Sequence, residues 1–69
     1  MKGAIFMATG KIIKQKREEM GITQEDLALA CGISQGAITA IECGRKNPSL
    51  PLAKQIATVL GCTVDELCK

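Results

Sequence analysis

The sequence predicts an all-α fold of five short helices. Three observations carry that prediction. Apolar residues recur every three to four positions along most of the chain, which is helical spacing. A Ser or Thr precedes each predicted helix, where its side-chain oxygen accepts from the first free backbone N–H groups. A Gly follows four of the five, where the chain has to turn out of the helix. The 69 residues make one small domain. A chain of this size buries only about 60% of its unfolded surface, so dense packing or a partner chain has to add to the core. Apolar residues are 46% of the total, yet Phe6 is the one aromatic. The core is therefore built from Ile, Leu, Val, Ala, Met and Cys.

Residues 1–8, MKGAIFMA, show neither helical periodicity nor a cap. They read as a flexible N-terminal tail ahead of a domain at 9–69. The first helix is expected from about Gly10 to Met20, capped by Thr9 and stopped at Gly21. Ile12, Ile13, Lys16, Arg17 and Met20 share one face of it, and Arg17 interrupts an otherwise apolar set.

The second helix starts at Gln24. Thr23 is its cap, and Asp26 stands at the capping-box position. Leu27, Ala28 and Cys31 point inward, Gly32 ends the helix, and Ile33 plugs the turn. Ser34 caps the third helix, Gln35 to Cys43, which stops at Gly44. Ala37, Ile38 and Ile41 face the core, while Gln35, Gly36, Thr39 and Ala40 form the opposite face. Two short helices about a tight turn make a helix-turn-helix, a geometry that lays its second helix in the DNA major groove.

Asn47-Pro48 then breaks the chain. Ser49 caps a fourth helix, Leu50 to Leu60. Pro51 falls in its first turn, where the missing N–H is not needed. Leu52, Ile56, Val59 and Leu60 are the apolar set, and Gly61 is the stop. Thr63 and Glu66 form a capping box that opens a last short helix ending near Cys68.

A net charge of +2 says little about partners. Its distribution says more, because Lys11, Lys14, Lys16 and Arg17 crowd one segment and Arg45-Lys46 form a second basic site. Cys31, Cys43, Cys62 and Cys68 include no C-x-x-C pair, and there is no His, so no metal or cofactor site is expected. Without a nucleophile–base pair or a phosphate loop, no enzyme is expected either, and no small-molecule ligand is evident. AIFMA is too short for a signal-peptide core, and no segment approaches the ~20 apolar residues of a membrane span. The expected setting is a reducing cytoplasm with free thiols.

From about Gly10 to Leu67 the chain resembles the phage repressor and Cro type of helix-turn-helix domain, also described as lambda-repressor-like or xenobiotic-response-element-like. The matching residues are Arg17 before Gly21; Thr23-Gln24-Glu25-x-Leu27-Ala28; Gly32-Ile33-Ser34; Ile38; Ile41-Glu42-x-Gly44; Pro48; and Leu60-Gly61. The resemblance implies a compact five-helix bundle that binds operator DNA as a homodimer, with the third helix in the major groove. It implies a transcriptional regulator, expected to act as a repressor. The alternative is an antitoxin or protein-interaction adapter on the same fold.

The resemblance also assigns roles. Gln24 and Ser34 stand where relatives contact backbone phosphates, at helix starts that favour anions. Gln35 is the candidate for base readout, since an amide bonds an adenine edge bidentately. Thr39 is positioned for a phosphate or a thymine methyl. Gly36 and Ala40 occupy positions that are often polar in relatives, so the implied readout is sparse. Arg45 and Lys46 match the loop that tracks the backbone. Arg17 and Glu42 match an internal salt bridge, which accounts for a charge in an apolar face. Dimerisation is expected through the last two helices and the loop before them, with Leu50 and Val64 as apolar contributors.

Overall fold

In the computed structural model the backbone is described for residues 2–67 and the side chains from Thr9 to Leu67. Five helices follow in order: α1 (Lys2–Glu19), α2 (Gln24–Cys31), α3 (Gln35–Glu42), α4 (Leu50–Leu60) and α5 (Val64–Leu67). The described residues contain no strand. None of these helices is long and apolar enough to cross a membrane.

The starts of α2 to α5 follow the local code. Thr23 accepts from the Asp26 N–H while Asp26 Oδ2 accepts from the Thr23 N–H, both at 3.0 Å. Ser34 Oγ accepts from the Ala37 N–H at 3.2 Å, and Ser49 Oγ from the Leu52 N–H at 3.4 Å. Thr63 and Glu66 close a second reciprocal box. Each bond satisfies a donor that the helix itself leaves open.

The start of α1 is a correction. The helix begins at Lys2, not near Gly10, so Thr9 is a buried interior residue and not a cap. The expected tail at 1–8 is thus helical backbone over 2–8, while Met1 and the side chains of 2–8 lie outside the described residues. Gly10 read as a helix end because glycine weakens a helix interior by roughly 0.5–1 kcal/mol relative to Ala. Its reason is tertiary. A Cβ there would fall 2.8 Å from the Glu42 carbonyl oxygen, so α1 passes the end of α3 too closely for any side chain. Met20 is a second correction. It is 49% exposed and does not join the buried face of Ile13 and Arg17.

Four helices stop in one manner. Gly21, Gly32, Gly44 and Gly61 all have φ between 69° and 80°. After α3, Gly44 N–H donates to the Ile41 carbonyl at 3.1 Å and Arg45 N–H to the Ala40 carbonyl at 2.9 Å. That paired closure uses up carbonyls left open at the helix end. The residue after the glycine differs between ends. Ile22, Ile33 and Cys62 pack against the core, whereas Arg45 stands exposed.

The core is a single apolar cluster: Ile13 from α1, Leu27, Ala28 and Cys31 from α2, Ile38 and Ile41 from α3, Ile56, Ala57 and Leu60 from α4, and Leu67 from α5. Burial of each large side chain contributes roughly 1.5–3 kcal/mol. α2 packs on α3 and α4, and α1 on α3, α4 and α5. This leaves the outer side of α3 uncovered. Among the described residues, no buried side-chain nitrogen or oxygen lacks a hydrogen-bond partner.

Candidate nucleic-acid interface

The site is organised around α3, whose two sides differ in kind. Ile38, Ile41 and Glu42 are buried. Gln35 and Gly36 are exposed, and Thr39 and Ala40 are half-buried. A Cβ at Gly36 would meet only the Ser34 hydroxyl, at 3.9 Å, so the first turn of α3 is open on its outer side. Ser34 presents the capped start of α3 at the surface, and Arg45 and Lys46 stand exposed just beyond its end. Charged and amide groups thus flank the helix at both ends, and small residues lie between them.

A buried polar cluster holds this helix from behind. Arg17 Nε donates to Glu42 Oε2 at 2.7 Å, and the Arg17 Nη2 donates to Oε1 at 3.2 Å. Its Nη1 donates to the Ile22 carbonyl at 2.8 Å, where the chain leaves α1. Each residue of the pair is 8% exposed. The Glu42 hydrogen bond raises the Arg17 pKa above its ordinary value, against the opposing effect of burial, with a Coulombic contribution from the same carboxylate. The sequence-expected salt bridge is therefore present as a forked pair, the geometry a planar guanidinium favours.

Gln24 extends the cluster. Its Nε2 donates to Glu42 Oε1 at 2.9 Å, and its Oε1 accepts from the Thr39 hydroxyl at 2.9 Å. Thr39 Oγ1 also lies 3.1 Å from the Gln35 carbonyl, so its one hydrogen is shared between two internal acceptors. The start of α2 is thereby tied to the middle and end of α3. Sequence reasoning gave Gln24 and Thr39 outward roles and missed this link. The available signal was spacing, because Thr39 and Glu42 are three apart on one helix face. The bond to Glu42 uses one of the two Nε2 donors of Gln24.

Hydrogen bonds thus bring Gln24, at the start of α2, against Thr39 in the middle of α3, while Ser34, Gln35 and Gly36 stand consecutively at the start of α3. Arg45 and Lys46 form a separate group at the far end of α3. Among the described residues no cluster of His, Cys, Asp or Glu is suited to a metal ion. Cys31 is buried and Cys62 half-buried, and burial pushes both thiols up, whereas Cys43 is exposed beside Gly44.

A family profile for helix-turn-helix proteins matches residues 13–67. An uncharacterized HTH-type transcriptional regulator of Methanothermobacter thermautotrophicus is 48% identical over 50 residues, which is 72% of either chain. A second, from Archaeoglobus fulgidus, is 40% identical over 55 residues, covering 80% of this chain and 79% of the relative. Among solved structures, the restriction-modification controller protein C.AhdI from Aeromonas hydrophila superposes with a TM-score of 0.87 at 30% identity, over 93% of this chain and 97% of that one. These relatives are named for regulation and not for catalysis, which agrees with the absence of an enzyme signature in the sequence.

Proposed function

We propose that this chain, which belongs to the Cro/CI-type helix-turn-helix family, is a transcriptional regulator that binds operator DNA as a homodimer and represses from it. The observation that carries this reading is the construction of α3. One side is fixed by Ile38, Ile41 and the Arg17–Glu42–Gln24 cluster, and the other is open at its first turn, where Gln35 and Gly36 are exposed. A helix held so firmly, with its outer side uncovered, suits insertion into a groove.

In this reading the second amide hydrogen of Gln24 and the exposed Ser34 meet phosphates at the helix starts. Gln35 reads an adenine edge. Gly36 lets the backbone of α3 approach the bases, and Thr39 contributes a methyl group beside them. Arg45 and Lys46 neutralise phosphates on the far side. Leu50, 61% exposed at the start of α4, is the apolar residue offered to a second copy, which would set two recognition helices about one DNA turn, roughly 34 Å, apart. Val64 packs against the core and is less available.

Binding to random duplex DNA tests the reading. We expect measurable affinity at low salt, falling with a log–log slope of about 0.9 per phosphate contacted. Selection from a random duplex pool should then return a two-fold symmetric site. No DNA binding at low salt would overturn the proposal in favour of a protein-interaction adapter. An asymmetric single site would overturn the homodimer.

A further inference from the structure

Gly10 sits in the interior of α1, yet its backbone abuts the last turn of α3. A Cβ built on it overlaps the Ile41 carbonyl oxygen and lies 2.8 Å from that of Glu42. Ordinary carbon–oxygen contacts are about 3.3–3.6 Å. Both obstructing atoms are backbone, so no rotamer change relieves the overlap. The same turn holds the Glu42 carboxylate gripped by Arg17 and Gln24, and it closes through Gly44 and Arg45 onto the Ile41 and Ala40 carbonyls. The end of α3 is therefore held at two points: its side chain by Arg17 and Gln24, its main chain by Gly10.

We infer that Gly10 is a positioning residue for DNA recognition, a notch in α1 that sets the tilt of α3 and the place of Arg45 and Lys46 beyond it. This rests on the DNA-binding reading above. A methyl group at Gly10 has to displace the end of α3, or move α1 and strain the Arg17–Glu42 bonds. Either shift alters the span between Gln24 on α2 and Arg45-Lys46 beyond the end of α3. Each half fits its phosphates still, but the two no longer fit together.

Gly10→Ala tests this, read by duplex affinity at a temperature where circular dichroism shows the chain fully folded. We expect about tenfold weaker binding and a salt slope shallower by about one, the signature of a lost phosphate contact. Ala53→Gly, in α4 and away from α3, is the stability control and should keep wild-type affinity and slope. A folded Gly10→Ala chain with unchanged affinity and slope overturns the inference. If the alanine chain does not fold, the wild-type chain decides by nuclear magnetic resonance titration with duplex. The Gly10 resonances should then move together with those of Cys43 to Lys46, and Gly10 resonances that stay fixed while that loop shifts overturn it. Failure of the wild-type chain to bind at all removes the DNA reading itself, and this inference with it, and is seen before any variant is made.

Discussion

Two of the contacts that hold this small domain together are made of different materials. Where α2 meets α4, Leu27, Ala28 and Cys31 sit among Ile56, Ala57 and Leu60. Where α1 meets α3, Arg17 forks onto Glu42 and Gly10 touches carbonyl oxygens. Apolar packing is non-directional and tolerates swaps of similar volume. Hydrogen-bonded charge is directional and tolerates almost none. The first contact supplies stability, and the second supplies orientation to the helix proposed to read DNA.

Breaking each contact separately sharpens that division. The largest effect is expected from Arg17→Ala, which leaves the Glu42 carboxylate buried without its charge partner. Urea denaturation should show a loss of about 3–5 kcal/mol. Replacing both partners by Met and Leu should recover most of it. Two small additive losses in a double-mutant cycle would show that the pair is not coupled. Ser34→Ala should cost about 1 kcal/mol through loss of the bond to the Ala37 N–H, with DNA affinity falling beyond what stability explains. Ile56→Val, at the apolar contact, should cost roughly 0.5–1.5 kcal/mol and leave the affinity of the folded chain unchanged.

Smaller effects follow from titration. The Thr23 backbone N–H, and secondarily its hydroxyl, hold the Asp26 carboxyl below its ordinary value. The contribution is therefore complete above the unfolded value near 3.9 and is lost as pH falls through the lower folded value. Melting between pH 5 and pH 2 should show a steeper acid loss for the native chain than for Asp26→Asn. The slightest perturbation is thiol labelling. Among the three described cysteines, Cys43 should react ahead of Cys62 and Cys62 ahead of Cys31, because Cys62 and Cys31 are shielded and their thiols are pushed up by burial.

The helices were legible wherever their ends are written locally. Thr23, Ser34, Ser49 and Thr63 act within three residues of themselves, and so do the four glycine stops, so their neighbours in sequence are also their partners. Gly10 was misread because its partner is over thirty residues away, and the same local rules make an isolated glycine look like a boundary. Arg17–Glu42 was legible through the family resemblance, since a charge in an apolar stripe calls for a buried partner. Gln24 was only half legible. Its place at a helix start was visible, but its grip on Glu42 and Thr39 depends on the angle between α2 and α3, which no local pattern contains.

The repeated closure at Gly21, Gly32, Gly44 and Gly61 has a consequence for how the chain reaches this structure. Four of the five segments carry their own end signals, needing no distant contact to define where they stop. The conformational search is thereby reduced to docking short segments of known length through brief connections. Such chains, with mostly local contacts, fold on the order of microseconds to milliseconds. The slow part of the search should be the α1–α3 docking, since Gly10 and Arg17 must find Ile41 and Glu42 across the whole of α2. Variants there should slow folding, and variants at the glycine ends should mainly hasten unfolding.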